Sequence, residues 1–366
     1  MDNRTRIINT VLMKEIDRQP FTFFFGPWGE TLKRWRGEGL GGRNWEDGLN
    51  LDSGFRIIDV NLGYCPGFTH EVLEERETTY LIRDRLGILQ EIHKHGATIP
   101  KYIDYPVKNR ADWEKLKTER LDPHDPARFP DNWEELAAEY NTGDHVMQLG
   151  SYPYGLFGTL RDMMGVEALS YMFYDDPELI HDMMDYLTDF WLAIYEKTCR
   201  DVKVDAIHMW EDMSGKSGSL ISMDMVREFM LPNYKKIAQF AKEHDIPIFS
   251  VDTDGDCTQL VPVFMESGIN LIFPFEVAAG SDINKYRQLY PKLCIMGGID
   301  KREIAKGKEA IDRELERISG MFTGPGYIAA PDHLFHPEIS YDDFLYFVRA
   351  LEARIRATVG KGFQTL

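Results

Sequence analysis

Cysteine is scarce in this chain of 366 residues. Cys65, Cys199, Cys257 and Cys294 stand apart with no paired spacing. That argues against a disulfide framework and fits free thiols in a reducing compartment. Long apolar runs are missing, so no segment is suited to span a bilayer. Behind Met1 the sequence goes straight into Asp2-Asn-Arg-Thr-Arg6, with no apolar signal core. A cytoplasmic protein is expected. Positive charge is also in short supply: 42 Lys and Arg face 60 Asp and Glu, for a net charge of −18. Nonspecific binding to nucleic acid or to an anionic membrane is therefore not expected, although a local basic pocket is still allowed. There is no internal repeat, low-complexity tract or linker. No Gly-x-Gly-x-x-Gly follows the first strand, which weighs against a doubly wound open sheet.

What the chain does have is concentrated between Val204 and Asp300. Four apolar runs there end in acidic or glycine residues: Asp205-Ala-Ile-His-Met-Trp-Glu-Asp212, Ile246-Pro-Ile-Phe-Ser-Val-Asp-Thr-Asp-Gly255, Ile269-Asn-Leu-Ile-Phe-Pro-Phe-Glu276 and Leu293-Cys-Ile-Met-Gly-Gly-Ile-Asp300. Helical patterns follow the first two. Strands that alternate with helices make a parallel sheet, and ligands lie off the carboxyl ends of such strands. Glu211, Asp212, Asp252, Asp254, Glu276 and Asp300 all fall at those ends. They would converge on one mouth suited to a metal, a cation or proton transfer. Asp252, Asp254 and Asp256 alternate, so on an extended backbone they share a face. Asp256 is read as the cap of the next helix.

Elsewhere, Thr5 to Asp17 has the spacing of a short amphipathic helix. Phe21-Thr-Phe-Phe-Phe25 is expected to be the first barrel strand, ending at Gly26-Pro27, with a helix from Trp28 to Arg36 over its end. Residues 55–107 break the alternation. The runs from Phe55, Thr78 and Gly87 read as strands, the last two joined as a hairpin, and are taken as an inserted antiparallel subdomain. His145 to Gly150 is the second barrel strand, and Asp176-Pro177 opens a long helix. Tyr327 to Pro331 is the last strand, followed by a closing helix from Ser340 to about Val359. Seven barrel strands are visible and the eighth is not. The expected architecture is an α/β fold: one (β/α)8 TIM-like barrel domain over residues 1–366 with an N-terminal antiparallel excursion.

Several of these segments resemble the uroporphyrinogen decarboxylase family. Asp175-Asp-Pro-Glu-Leu-Ile-His181 is similar to that family's helix start. Ile207 to Gly215, with Gly218-Ser-Leu-Ile-Ser222 and Phe229-Met-Leu-Pro232, is similar to its active-site strand, loop and helix. Met296-Gly-Gly-Ile-Asp300 is similar to a later strand end. The family includes decarboxylases and methyltransferases that move a methyl group between a corrinoid protein and a thiol. The resemblance implies a barrel, and Gly218 to Ser222 looks closer to the methyltransferase branch. Two departures stand out. The decarboxylases' arginine-bearing N-terminal segment is matched by Gly26-Pro-Trp-Gly-Glu-Thr-Leu-Lys-Arg34. The methyltransferases' zinc motif His-x-Cys-Gly is matched by Asp252-Thr-Asp254-Gly255.

On that resemblance the expected ligands of a divalent metal, zinc or another, are Glu211, Asp252, Asp254 and His333, with Cys257 as an alternative. Asp212, Asp300 and His336 are the expected catalytic groups. Trp28, Tyr152, Tyr154, His208 and Glu276 are the expected substrate contacts, although His208 also reads as a core histidine. The expected activity is metal-assisted methyl transfer to or from a small-molecule substrate, with a corrinoid supplied by a partner protein. A homodimer is the other association considered. The alternatives are a decarboxylase of tetrapyrrole metabolism and a non-catalytic binding protein on the same barrel.

Overall fold

The structure, a computed structural model, describes residues 1–95 and 99–358. In chain order its strands are β1 (Phe55–Ile57), β2 (Glu71–Glu75), β3 (Thr79–Arg83), β4 (Leu89–His93), β5 (Lys101–Asp104), β6 (Val146–Leu149), β7 (Ala206–Trp210), β8 (Ser214–Gly215), β9 (Gly218–Ser219), β10 (Ile248–Asp252), β11 (Leu271–Phe273), β12 (Cys294–Ile299) and β13 (Tyr327–Pro331). A curled parallel sheet runs β1-β6-β7-β10-β11-β12-β13, which is the TIM-like barrel expected. From β6 onward its strands are buried at every position. That is why they read as continuous apolar runs and not as alternating ones.

The barrel interior is filled by Val146, Ala206, Ile248, Leu271, Phe273, Cys294, Met296 and Ile328. Ile7 and Val11 join them from the first helix. That helix, Asn3–Val11, plugs the floor, and Arg4 ties it to Asp205 at the start of β7. It is shorter than the span Thr5 to Asp17 expected, because Met13 turns the chain with φ 56.

Two strand expectations are corrected. Phe21–Phe25 is not a sheet strand, and the edge strand is β1, which was expected in the insertion and instead pairs with β6 in parallel. The segment around Phe21 fills the seam between the sheet edges. Phe21 O accepts from Asp52 N (2.7 Å), Gly26 O from Phe335 N (3.2 Å), and Phe335 O from Trp28 N (3.0 Å). Pro20 and Pro27 lack N–H donors, so a regular ladder cannot run through both ends of this segment. The antiparallel excursion is β2-β3-β4-β5, narrower than residues 55–107. The hairpin of β3 and β4 is as expected. β2 was not visible in the sequence because all five of its residues are exposed and three are glutamates. The closing helix is Tyr341–Arg356, with Ser340 as its cap. Val359, its expected end, lies outside the described residues.

Candidate active site

At the carboxyl end of β7 the chain turns sharply: Asp212 adopts φ 38. Glu211 and Asp212 therefore diverge. Glu211 is fully buried and points at the N-terminus of the helix Leu156–Met164. Its carboxylate accepts from Leu156 N (2.9 Å), Phe157 N (2.7 Å), Gly158 N (3.2 Å) and the Tyr234 hydroxyl (2.7 Å). The helix start supplies unpaired N–H groups and positive dipole to this anion. Burial pushes Glu211 up to about 6, and the four donors pull against it. Only glycine permits the approach, because a Cβ on Gly155 or Gly158 would lie 1.9 or 2.3 Å from Trp210 O.

Asp212 instead meets a side chain of the same helix and accepts from Arg161 Nη1 at 2.6 Å. The same nitrogen donates to the Asp212 carbonyl at 2.7 Å. The guanidinium lies 4.6 Å over the Trp210 ring, against which the exposed Tyr152 stands edge-on. Arg161 was not singled out in the sequence. Its signal was a charged Arg-Asp pair inside the otherwise apolar Leu156-Phe-Gly-Thr-Leu-Arg-Asp-Met-Met164.

Asp252 ends β10. On that strand Ile248, Ser250 and Asp252 share one face by alternation, and Ile248 and Ser250 both meet the barrel interior. Asp252 thus faces up the barrel axis and is buried. Burial, then the neighbouring carboxylates Asp254, Asp212 and Glu276, raise its pKa well above the ordinary aspartate value. Asp254 Oδ2 lies 3.5 Å from His333 Nε2, and its Oδ1 is buried with no hydrogen-bond partner. Phe25, from the seam, stacks on His333 at 4.9 Å. Glu276 is oriented by Gly255 N and Lys301 Nζ, each at 3.1 Å. The mouth therefore gathers Asp212, Asp252, Asp254, Glu276 and His333. Its cations Arg161 and Lys301 are each already paired with a carboxylate.

The remaining expected residues have partners of their own, although His336 stays within electrostatic reach of His333 and Lys301. Asp300 caps the helix Lys301–Ile304, and Arg302 grips both of its oxygens, so it is a structural cap and not a mouth carboxylate. His336 pairs with Glu338 at 3.5 Å. His208 is a core residue: it bonds Ser250 Oγ at 3.0 Å, lies stacked on Phe273, and burial takes its pKa down to about 3. Trp28 caps the helix Gly29–Trp35 through its backbone. Tyr154 lines a separate small cavity behind the β6 loop. Cys257 is buried, and burial pushes its thiol up to about 12.

The expected metal set does not fit. Glu211 has its oxygens taken by four donors. Among the described residues no three His, Cys, Asp or Glu side chains are grouped to hold a metal ion. Also among the described residues, no helix is long and apolar enough to cross a membrane.

The uroporphyrinogen decarboxylase (URO-D) family model matches residues 80–354. A uroporphyrinogen decarboxylase of Rhodococcus opacus (strain B4) is 23% identical over 175 residues, covering 46% of this chain and 45% of that protein. A methylated-thiol–coenzyme M methyltransferase of Methanosarcina mazei is 30% identical over 137 residues, covering 37% and 35%. These alignments span less than half of either relative. In fold, a methyltransferase from Methanosarcina mazei covers 98% of this chain and 99% of its own, at 13% identity and a TM-score of 0.56. With three quarters of its length matched by one family model and its barrel shared with a methyltransferase, the chain belongs to the uroporphyrinogen decarboxylase family.

Proposed function

We propose that this chain is a cytoplasmic enzyme that removes a methyl group from a small neutral or cationic donor, with Asp252 as the acid. The observation that carries the reading is the buried carboxyl of Asp252, at the end of β10 among Asp254, Asp212 and Glu276. Burial and these neighbours raise its pKa well above the ordinary aspartate value, the direction a general acid needs. Asp254 and His333 stand beside it to orient a substrate heteroatom and relay the proton. Arg161 fixes Asp212 at the rim. Transfer breaks the bond from the substrate heteroatom to the methyl carbon. The heteroatom keeps the electron pair and takes the proton of Asp252, which is left as carboxylate.

The family resemblance implies an acceptor, a corrinoid on a partner protein. The half-exposed ring of Tyr102 and the exposed ring of Tyr152 fit a flat macrocycle at the rim. When bound, the corrinoid supplies the nucleophile that takes the methyl carbon. The relative named for methylated thiols supports this branch. The decarboxylase reading is disfavoured by the paired state of Arg161 and Lys301, because a porphyrinogen with eight carboxylates needs free cations.

The test is single-turnover demethylation of methoxy, methylthio and methylammonium donors by wild type and Asp252→Asn, with a reduced corrinoid protein. The variant is expected to lose about 100-fold or more in rate while remaining folded, the scale of a lost general acid. Equal rates, or turnover of uroporphyrinogen to coproporphyrinogen at roughly one per second or faster, would overturn the reading. Zinc, manganese or magnesium added to chelator-free protein is expected to leave the melting temperature unchanged.

A further inference from the structure

Behind the loop that follows β6 lies a cavity of about 30 Å³ that the mouth does not use. Leu62, Tyr64, Leu86, Tyr154, Asp162 and Leu187 line it. Its walls come from the barrel helices and from the hairpin turn of the excursion. Most of the lining is apolar, and Asp162 is the exception. Its Oδ2 is buried with no hydrogen-bond partner. Its Oδ1 is 3.9 Å from Arg161 Nε, too far for a hydrogen bond, and that guanidinium is already bonded to Asp212. The neighbouring carboxylate Asp84 already has partners: it accepts from Leu86 N, Ile88 N and the Gln90 side chain. Burial pushes Asp162 up to about 6, ahead of the opposing pull of Arg161, and Asp84 and Asp212 add to the rise.

The side chain is 19% exposed, and the cost falls on Oδ2, which is buried without a partner and loses its share of hydration. An engineered or natural core would normally fill such a position with a donor. The sign of the missing donor follows from the surroundings. Asp162 faces Arg161 without a hydrogen bond and has Asp84 and Asp212 as further carboxylate neighbours, while Arg120 and Arg128, beside Tyr64 and Tyr154, are bonded to backbone carbonyls, so the open Oδ2 favours a cation over an anion. The size follows from the volume. One water-sized group needs ~10–15 Å³, so the cavity admits about two heavy atoms. An ammonium nitrogen with one carbon meets both conditions.

We propose that this cavity is a second binding pocket, taking a primary ammonium group on a short alkyl stem, with the nitrogen on Asp162 and the carbon against Leu62, Leu86 and Leu187. The pocket stands on its own residues and does not depend on the reaction at the mouth.

The experiment is a titration of the full chain with methylammonium chloride at neutral pH, followed by isothermal titration calorimetry, with methanol as the neutral match. Saturable binding of methylammonium is expected, with methanol at least about tenfold weaker. Asp162→Asn keeps the shape and removes the charge, and is expected to weaken methylammonium by about tenfold or more. Leu86→Phe fills the space from the opposite wall and is expected to do the same. Melting curves of both variants establish that they fold. No saturation with wild type, which would leave a buried water as the occupant, overturns the proposal. So does equal affinity for methanol, or undiminished binding in either folded variant.

Discussion

Glu211 shows how far one side chain can be misread from type and position alone. As an acidic residue at a strand end it looked like a ligand, but its four donors make it the clamp between β7 and the helix Leu156–Met164. Its pH behaviour follows from the direction of its shift. The folded value is raised to about 6 from an ordinary 4.5, so the folded state binds more protons between those values. Its contribution to stability is full below 4.5 and is lost as pH rises through about 6, on the order of 2 kcal/mol. Glu211→Gln cannot satisfy every N–H of the helix start, and is expected to lose about 1–3 kcal/mol at neutral pH. It should also lose the part of the slope that belongs to this group. Urea melts of wild type and variant across that pH range would show both. A variant as stable as wild type at neutral pH would mean the clamp is not formed.

The helix that begins at Leu156 connects this clamp to the mouth, because it carries Arg161 as well as the N–H groups that hold Glu211. Gly155 sets its approach: an added Cβ would fall 1.9 Å from Trp210 O. Gly155→Ala is therefore expected to destabilise by about 3 kcal/mol or more, and to weaken the grip of Arg161 on Asp212. Thermal melts and Trp210 fluorescence would read the two effects. An unperturbed melt would show that the loop relaxes freely. Elements of this kind also mark what the sequence could tell. Strands β6, β7 and β10 to β13 were legible because burial on both faces leaves uninterrupted apolar runs. The seam around Phe21 has the same apolar signature but no ladder, since prolines stand at both its ends. β1 was assigned to the wrong sheet because three residues carry no information about pairing partner. Asp252, Asp254 and His333, grouped as ligands from the sequence, do lie near one another at the mouth. Arg161 and Asp162 were missed because a charged pair in a helix ordinarily faces solvent.

Across the whole molecule, the floor and the seam are built from residues near one end of the chain and partners near the other. Ile7 and Val11 enter the barrel interior beside Ile328. Thr31 Oγ1 donates to Phe335 O and Trp35 Nε1 to Ile339 O, each pair 304 residues apart. Ile7→Ala is expected to destabilise by about 2–5 kcal/mol, as a deletion in a closed core does; equilibrium denaturation checks it, and a loss well below 1 kcal/mol would mean the floor is loosely packed. These long separations also impose an order in time. During synthesis, the segment from Asn3 to Trp35 emerges well before the stretch from β13 to Ile339, which supplies part of its binding surface. For nearly the whole of that interval Phe21, Phe23, Phe24 and Phe25 have no barrel to enter. The nascent chain thus carries an aromatic cluster in search of cover, and a chaperone that holds extended apolar segments is the natural occupant until the last strand arrives.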